Sequence, residues 1–341
     1  MASILKEQIN LRHTGPGTYT ASWHVDWTNG PTLHGGCVAA IIHHAAETHL
    51  ATDPKLKAKN QPDIISLHLE FLRPCTRQES TISVTTIRAG AATSTIQLAL
   101  AQGGSQTKVL ASATCIDFSR SLGPSVPVPV TRALCPPPAR PAPDFAAVLA
   151  HKPDPNWRRI VALDPRGGFP RNDGVCDAWN GLLLDENEQQ IDGTYLALMS
   201  DIIPSMSDTL THNGGLYDAH TFYARAADWA ERNPGKPAIL ENTVAEALKT
   251  PIFNSTVTLD IEFARRIEKE EGEKKRFVFT RTVANYLEGG RMGVDVTVCD
   301  EDMHLLCTAH QLILVLGTER KFADPEGKGG KGEGEKRKSV L

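Results

Sequence analysis

The sequence predicts an α+β protein built from two similar units in tandem. Each unit is one long helix lying on an antiparallel sheet, and the two sheets join into one. Three observations predict it: the length of the chain, a repeated set of strands, and one apolar helix ahead of each strand block. At 341 residues the chain has room for two domains of about 150 residues each. Hydrophobic residues make up 40% of it and charged residues 22%, a balance that supplies real cores.

The repeat is legible residue by residue. Ser66-Leu67-His68-Leu69-Glu70-Phe71-Leu72-Arg73 parallels Thr258-Leu259-Asp260-Ile261-Glu262-Phe263-Ala264-Arg265. Each copy is followed by a polar stretch and then a β-rich run, Thr81 to Arg88 and Arg276 to Val283. A glycine turn comes next, at Gly90 and at Gly289-Gly290. Two more strand-like runs close each half, with Val109 to Phe118 set against Leu305 to Leu314. Because the order of elements repeats too, each copy implies the same supersecondary unit.

The helices lie upstream of the strands. Val38, Ile41, Ile42 and Ala45 fall at i, i+3, i+4 and i+7 after Gly35-Gly36, and Tyr195, Leu198, Met199 and Ile202 repeat that spacing after Gly193. These patterns predict helices over 37–50 and 193–203, the second stopped by Pro204. A helix this apolar must be covered on most sides, which a curled sheet achieves. The outer strands of each unit would otherwise leave backbone groups unpaired, so pairing across the repeat predicts one continuous sheet.

Composition sets the boundaries. The expected units are 1–120 and 161–320. Between them, 121–160 is a connector whose prolines from Pro124 to Pro143 favour extended chain. The tail 321–341 is Gly, Lys and Glu with little to bury, so disorder is expected there. A formal net charge of -4 gives no pull toward nucleic acid or an anionic membrane surface. No apolar run approaches the ~18 residues of a membrane span, and Met1 to Arg12 does not read as a secretory signal. Seven scattered cysteines without a CxxC pair point to reduced thiols rather than a disulfide framework or a zinc site.

Four segments, in order, carry a family likeness. Thr32-Leu33-His34-Gly35-Gly36-Cys37-Val38-Ala39-Ala40 resembles the opening of the first helix in the double-hotdog, type II acyl-CoA thioesterases. Leu67-His68-Leu69-Glu70-Phe71-Leu72-Arg73-Pro74 resembles the next strand of that family. Tyr195 to Asp201 resembles the helix bearing its catalytic Asp, and Thr308-Ala309-His310-Gln311 the strand bearing its catalytic Gln. The resemblance implies a tandem hotdog fold and acyl-thioester hydrolysis, with acyl-CoA or a carrier-bound acyl group as substrate and no cofactor or metal. It implies Asp201 and Gln311 as catalytic residues. The family's third catalytic position, a Ser or Thr three residues before an aromatic, falls here on Asp260, and Thr258 is the nearby hydroxyl on the same strand face.

The chemistry requires an oriented water, a group to activate it, and donors for the developing oxyanion. Asp201 can accept the water's proton, Gln311 can fix the same water, and backbone N–H groups at a helix start can hold the oxyanion. Gly35, Gly36 and Gly193 would let a ligand approach that backbone, and His68 is a further substrate-binding candidate. Each residue also has a purely structural reading: a solvated surface Asp201, a buried Gln311 tied to backbone, an exposed polar strand face for Thr258, Asp260 and Glu262. His44, His68 and Cys115 occupy the repeat-equivalent places in the first half, either as a degenerate half-site or as a thiol or metal site. Asp26, Asn29, Pro31 and His34 hold the residue types of the hotdog hydratase signature at the wrong spacing.

The alternatives to hydrolysis are a repurposed hotdog enzyme (hydratase, cyclase or product release) on an acyl or polyketide-like intermediate, and a non-catalytic acyl-binding protein. A homo-oligomer of the pseudo-dimer is compatible with this architecture. The C-terminal Lys338-Ser339-Val340-Leu341 matches a peroxisomal Ser-Lys-Leu signal poorly, so a cytoplasmic location is expected, with the peroxisome as the minority case.

Overall fold

The computed structural model describes residues 4–22, 27–29, 32–125, 147–150, 162–164, 170–171, 174–181, 191–201, 205–233, 238–241, 250–267 and 277–317. Most of the proline-rich segment, the tail from Lys321, Cys135 and the C-terminal tetrapeptide lie outside these residues.

The N-terminal unit begins with a short helix, α1 (Ile4–Ile9), and the hairpin β1 (Arg12–Gly15) and β2 (Thr18–Ala21). Two brief strands, β3 (Thr28–Asn29) and β4 (Thr32–Leu33), lead into α2 (Gly35–Thr52), which a small α3 (Pro54–Lys57) follows. Four strands complete the unit: β5 (Asp63–Phe71), β6 (Ser80–Ala89), β7 (Ser94–Gln102) and β8 (Gln106–Ile116). A strand, β9 (Ala147–Ala150), lies within the span 121–160 that the sequence assigns to the connector, and β10 (Ala162–Asp164), β11 (Pro170–Arg171) and β12 (Val175–Gly181) follow it. The C-terminal unit then has α4 (Gly193–Met199), α5 (Met206–Thr211), α6 (Ala219–Arg232) and β13 (Ala238–Glu241). It ends with β14 (Ile252–Phe263), β15 (Phe277–Glu288), β16 (Arg291–Cys299) and β17 (Leu305–Gly317).

All strands but β3 and β4 form one sheet, in the order β1-β2-β6-β7-β8-β5-β14-β17-β16-β15-β12-β10-β9-β13, with β11 on β12. Its described pairs are antiparallel except β9 with β13 at the far edge. This is the tandem hotdog arrangement. The seam is the pair β5–β14, in which His68 faces Asp260, Leu67 faces Ile261 and Leu69 faces Leu259. Since His68 and Asp260 are repeat equivalents, the pseudo-two-fold axis passes through their pairing. Each seam strand also carries a bulge at an equivalent place, between Ile64 and Ser66 and between Thr256 and Thr258. Shared bulges are built-in features of a fold rather than defects.

The helix α2 buries most of its residues, including Cys37, Val38, Ile41, Ile42, Ala45, Ala46 and Leu50. It shares one hydrophobic core with α4 and the inner faces of both units, from Ile82, Ile96 and Leu98 to Val294, Val296 and Val298. The second helix is shorter than the sequence predicts. It ends at Met199 instead of reaching residue 203. Ser200 closes it, its N–H donating to Leu196 O at 2.9 Å and its Oγ to Ala197 O at 2.8 Å. A helical Ser200 carbonyl would accept from the residue four positions on, and that residue is Pro204, which has no N–H. Gln311 Nε2 donates to that carbonyl instead, at 2.9 Å.

Candidate active site

The two helices meet through their glycines. A Cβ on Gly35 would lie 2.5 Å from Asp201 Oδ2, and one on Gly36 would lie 2.5 Å from Leu198 O. One on Gly193 would lie 2.6 Å from His43 Nε2. All three distances are shorter than a carbon contact allows. The neighbours that stand there, Asp201, Leu198 and His43, belong to the opposite unit, so the glycines let the two halves of the pseudo-dimer come together.

Asp201 follows the end of α4, and its carboxylate reaches across the seam to the first turn of α2. It is 8% exposed. Around it stand the Gly36 N–H, the Gln311 side chain and His34, whose Nδ1 is 3.4 Å from Asp201 Oδ2. Burial pushes the Asp201 carboxyl above the ordinary range, and His34, the Gly36 N–H and Gln311 pull it part of the way back. A carboxylate tuned upward suits a general base better than one at its ordinary value. Gln311, on the inner face of β17, is fully buried. Its Oε1 has no donor among the described residues, and a buried acceptor of that kind calls for one. Asp201 and Gln311 therefore adjoin at the unit–unit boundary, both at the Ser200–Asp201 corner.

Three other candidates are not brought there. Leu259 and Ile261 point into the core, at 0% and 1% exposure. Asp260 between them points outward, as does Thr258 by strand alternation. Asp260 pairs with His68 on the outer face, Nδ1 to Oδ1 2.5 Å, with side chains 48% and 41% exposed. Asp260 and Asp201 thus do not face one site, and His68 stands with Asp260 away from the Asp201 corner. The reason is parity: Phe263 is buried, and a strand residue three positions from an inward side chain faces out. The inner-face hydroxyl near Gln311 is Thr256. It sits opposite the buried Ile313 across the bulge, and directly opposed side chains share a face. The bulge that places it leaves no signal in the sequence.

The repeat-equivalent corner of the first unit has different contents. His43 Nδ1 is 3.1 Å from Thr194 Oγ1, and His44 Nδ1 is 3.5 Å from Glu47 Oε2. Lys6 of α1 lies 2.6 Å from Glu47 Oε2 and 2.8 Å from Asp192 Oδ2. Asp192 caps α4 by accepting from Tyr195 N at 2.9 Å. Burial lowers His43 to about 4. Cys115 is buried, and burial pushes its thiol up to about 12. The corner is filled by protein. Lys6, Glu47 and Asp192 went unnoticed in the sequence because nothing local marks them as neighbours. Among the described residues, the grouping with metal-ligand types is Asp300, Asp302 and His304 in the β16–β17 turn. There Asp300 accepts from the Asp302 and His304 N–H groups as an ordinary turn.

Comparison with known proteins agrees with this architecture. An acyl-CoA thioesterase N-terminal domain matches residues 23–116 and an acyl-CoA thioesterase C-terminal domain matches residues 133–315. A thioesterase-like protein, TwmA, of Talaromyces wortmannii is 23% identical over 360 residues, covering 96% of each chain. Among solved structures, a hot dog fold protein of unknown function from Alicyclobacillus acidocaldarius aligns with a TM-score of 0.63 and 17% identity, over 92% of this chain and 98% of that one. The acyl-CoA thioesterase II TesB2 of Mycobacterium marinum aligns with a TM-score of 0.56 and 18% identity, over 92% and 98%. No helix of the described residues is long and apolar enough to cross a membrane.

Proposed function

The chain belongs to the acyl-CoA thioesterase family, and from that premise we propose that it hydrolyses an acyl thioester, carried on CoA or on a carrier protein, with a water activated by Asp201 and Gln311. The observation that carries this reading is the meeting of a buried carboxylate, a buried amide and a helix start at the unit–unit boundary. In this mechanism Gln311 Oε1 accepts one O–H of the water, and Asp201 takes the other proton as the water oxygen attacks the thioester carbonyl carbon. The Gly35 and Cys37 N–H groups in the first turn of α2 stabilise the oxyanion, since the Gly36 N–H serves His34 and Asp201. Collapse then expels the thiolate. No covalent enzyme intermediate is involved. A non-catalytic acyl-binding role is the second reading, favoured by the outward turn of Asp260 at the position where the family resemblance implies a catalytic hydroxyl.

A thiol-release assay over short, medium and long acyl-CoA substrates separates the two. Hydrolysis predicts turnover with at least one chain length, and Asp201→Asn should lower kcat about 10²-fold or more with the melting temperature nearly unchanged. Binding of acyl-CoA without thiol release at any chain length would establish the second reading.

A further inference from the structure

Resting on that hydrolytic reading of Asp201, we propose that His34 is the proton-holding partner of the carboxylate, a positioning residue supplied by the other unit that shares one proton with Asp201 across the seam. His34 is the N-cap of α2, and its Nδ1 accepts from Gly36 N at 3.2 Å. The same Nδ1 is 3.4 Å from Asp201 Oδ2. One nitrogen cannot accept from the first and donate to the second at once. With Nδ1 bare it caps the helix. With Nδ1 protonated it donates to Asp201, and the Gly36 N–H serves the carboxylate as well. The position of a single proton therefore selects between two hydrogen-bond patterns.

The surroundings favour His34 for this role. From α2, Asp201 is faced by His34, the Gly36 N–H and Cys37; from β17, by Gln311. Gln311 does not titrate, and burial and the Asp201 charge push the Cys37 thiol well up. His34 alone of these groups can take a proton from the carboxylate and return it. Its side chain is 31% exposed against 10% for Asp201, so it also connects the buried carboxylate to solvent.

The step balances without any added reactant. The water oxygen bonds to the carbonyl carbon, the carbonyl pair moves to oxygen, and the water proton goes to Asp201 Oδ2 and on to His34 Nδ1. His34 is then an imidazolium and Asp201 a carboxylate. On collapse the oxyanion pair re-forms the carbonyl, the C–S bond breaks with its electrons on sulfur, and the proton returns through Asp201 to the thiolate. Acid and thiol leave, and the pair is as it began.

His34→Asn separates this role from capping, because Asn is a good N-cap but holds no proton. The expected result is a native melting temperature with kcat/KM lowered at least about tenfold and a shifted pH profile, since the proton that His34 takes in the native pair stays on Asp201 in the variant. Carbon-13 NMR of the Asp201 carboxyl, which needs no substrate, should show it titrating at higher pH in His34→Asn than in the native protein. His34→Ser, a second good cap, serves if the Asn variant does not fold. Unchanged pH profile and unchanged Asp201 titration in the folded variant would overturn the proposal and leave His34 a cap. A native protein that releases no thiol would refute the hydrolytic reading while the NMR titration still decides the pairing.

Discussion

Gly35 carries no side chain because Asp201 stands where one would be. The clash is with a carboxylate oxygen at 2.5 Å, and Asp201 is hemmed in by Gln311 and Gly36, so an alanine there must push the carboxylate off its position. Displacement near 1 Å at a reacting group can lower rates about 10²-fold, while overpacking of this kind costs about 1–3 kcal/mol. Gly35→Ala should therefore lose thiol release far out of proportion to its loss of denaturation midpoint. Activity within a factor of two of native would show that the Asp201–Gly35 contact does not position the base. At the same scale, Gln311 shows how one residue can satisfy two readings. The sequence left open a catalytic amide or a buried side chain tied to backbone. Its Nε2 is tied to Ser200 O, in place of the N–H that Pro204 lacks, and its Oε1 remains as the acceptor.

Among the elements, α1 contributes more than its six residues would indicate. Leu5 and Ile9 are buried, and Lys6 joins Glu47 on α2 to Asp192 at the start of α4. Burial alone would lower the Lys6 pKa, but Asp192 and Glu47 together hold it above its ordinary value. The short helix thus pins both long-range partners at the filled corner opposite the Asp201 site. Lys6→Met leaves two half-buried carboxylates without their cation and should reduce stability by about 1–3 kcal/mol. Urea denaturation should show a lower midpoint at unchanged slope, with kcat/KM for thiol release close to native because Lys6 lies outside the Asp201 corner. A stability loss below about 0.5 kcal/mol would show the triad to be an ordinary surface pairing.

Across the whole molecule, stability depends on groups buried between the units. His43 lies against Gly193 and Thr194 of the other unit, and burial lowers it to about 4. Between pH 6.5 and 4 the unfolded chain binds a proton at His43 that the folded chain refuses, so stability falls as pH drops through that window. Glu47 adds a second window. Burial would raise it, but His44, His43 and Lys6 lower it to about 2, so its contribution is complete above pH 4.5 and is lost as pH falls toward 2. His43→Gln should flatten the stability profile between pH 6.5 and 4 while leaving the loss below 4.5 in place; an unaltered slope would exclude His43 as its source. By itself the sequence determined the two-unit architecture, the presence of one apolar helix ahead of each strand block, the repeat and the pairing of equivalent strands into one sheet, but not the helix Ala219–Arg232. Those properties are local or repeated: apolar period, turn residues and two copies of one pattern. It also singled out Asp201 and Gln311. Only the tertiary structure decided which face each strand residue takes after a bulge, as for Thr256, Thr258 and Asp260. It alone set His34 and the Gly35–Gly36 turn against Asp201, and His68 against Asp260 on the outer surface. Those contacts join residues more than 150 positions apart, and their geometry depends on how closely two glycine-bearing helices approach, which no periodicity encodes.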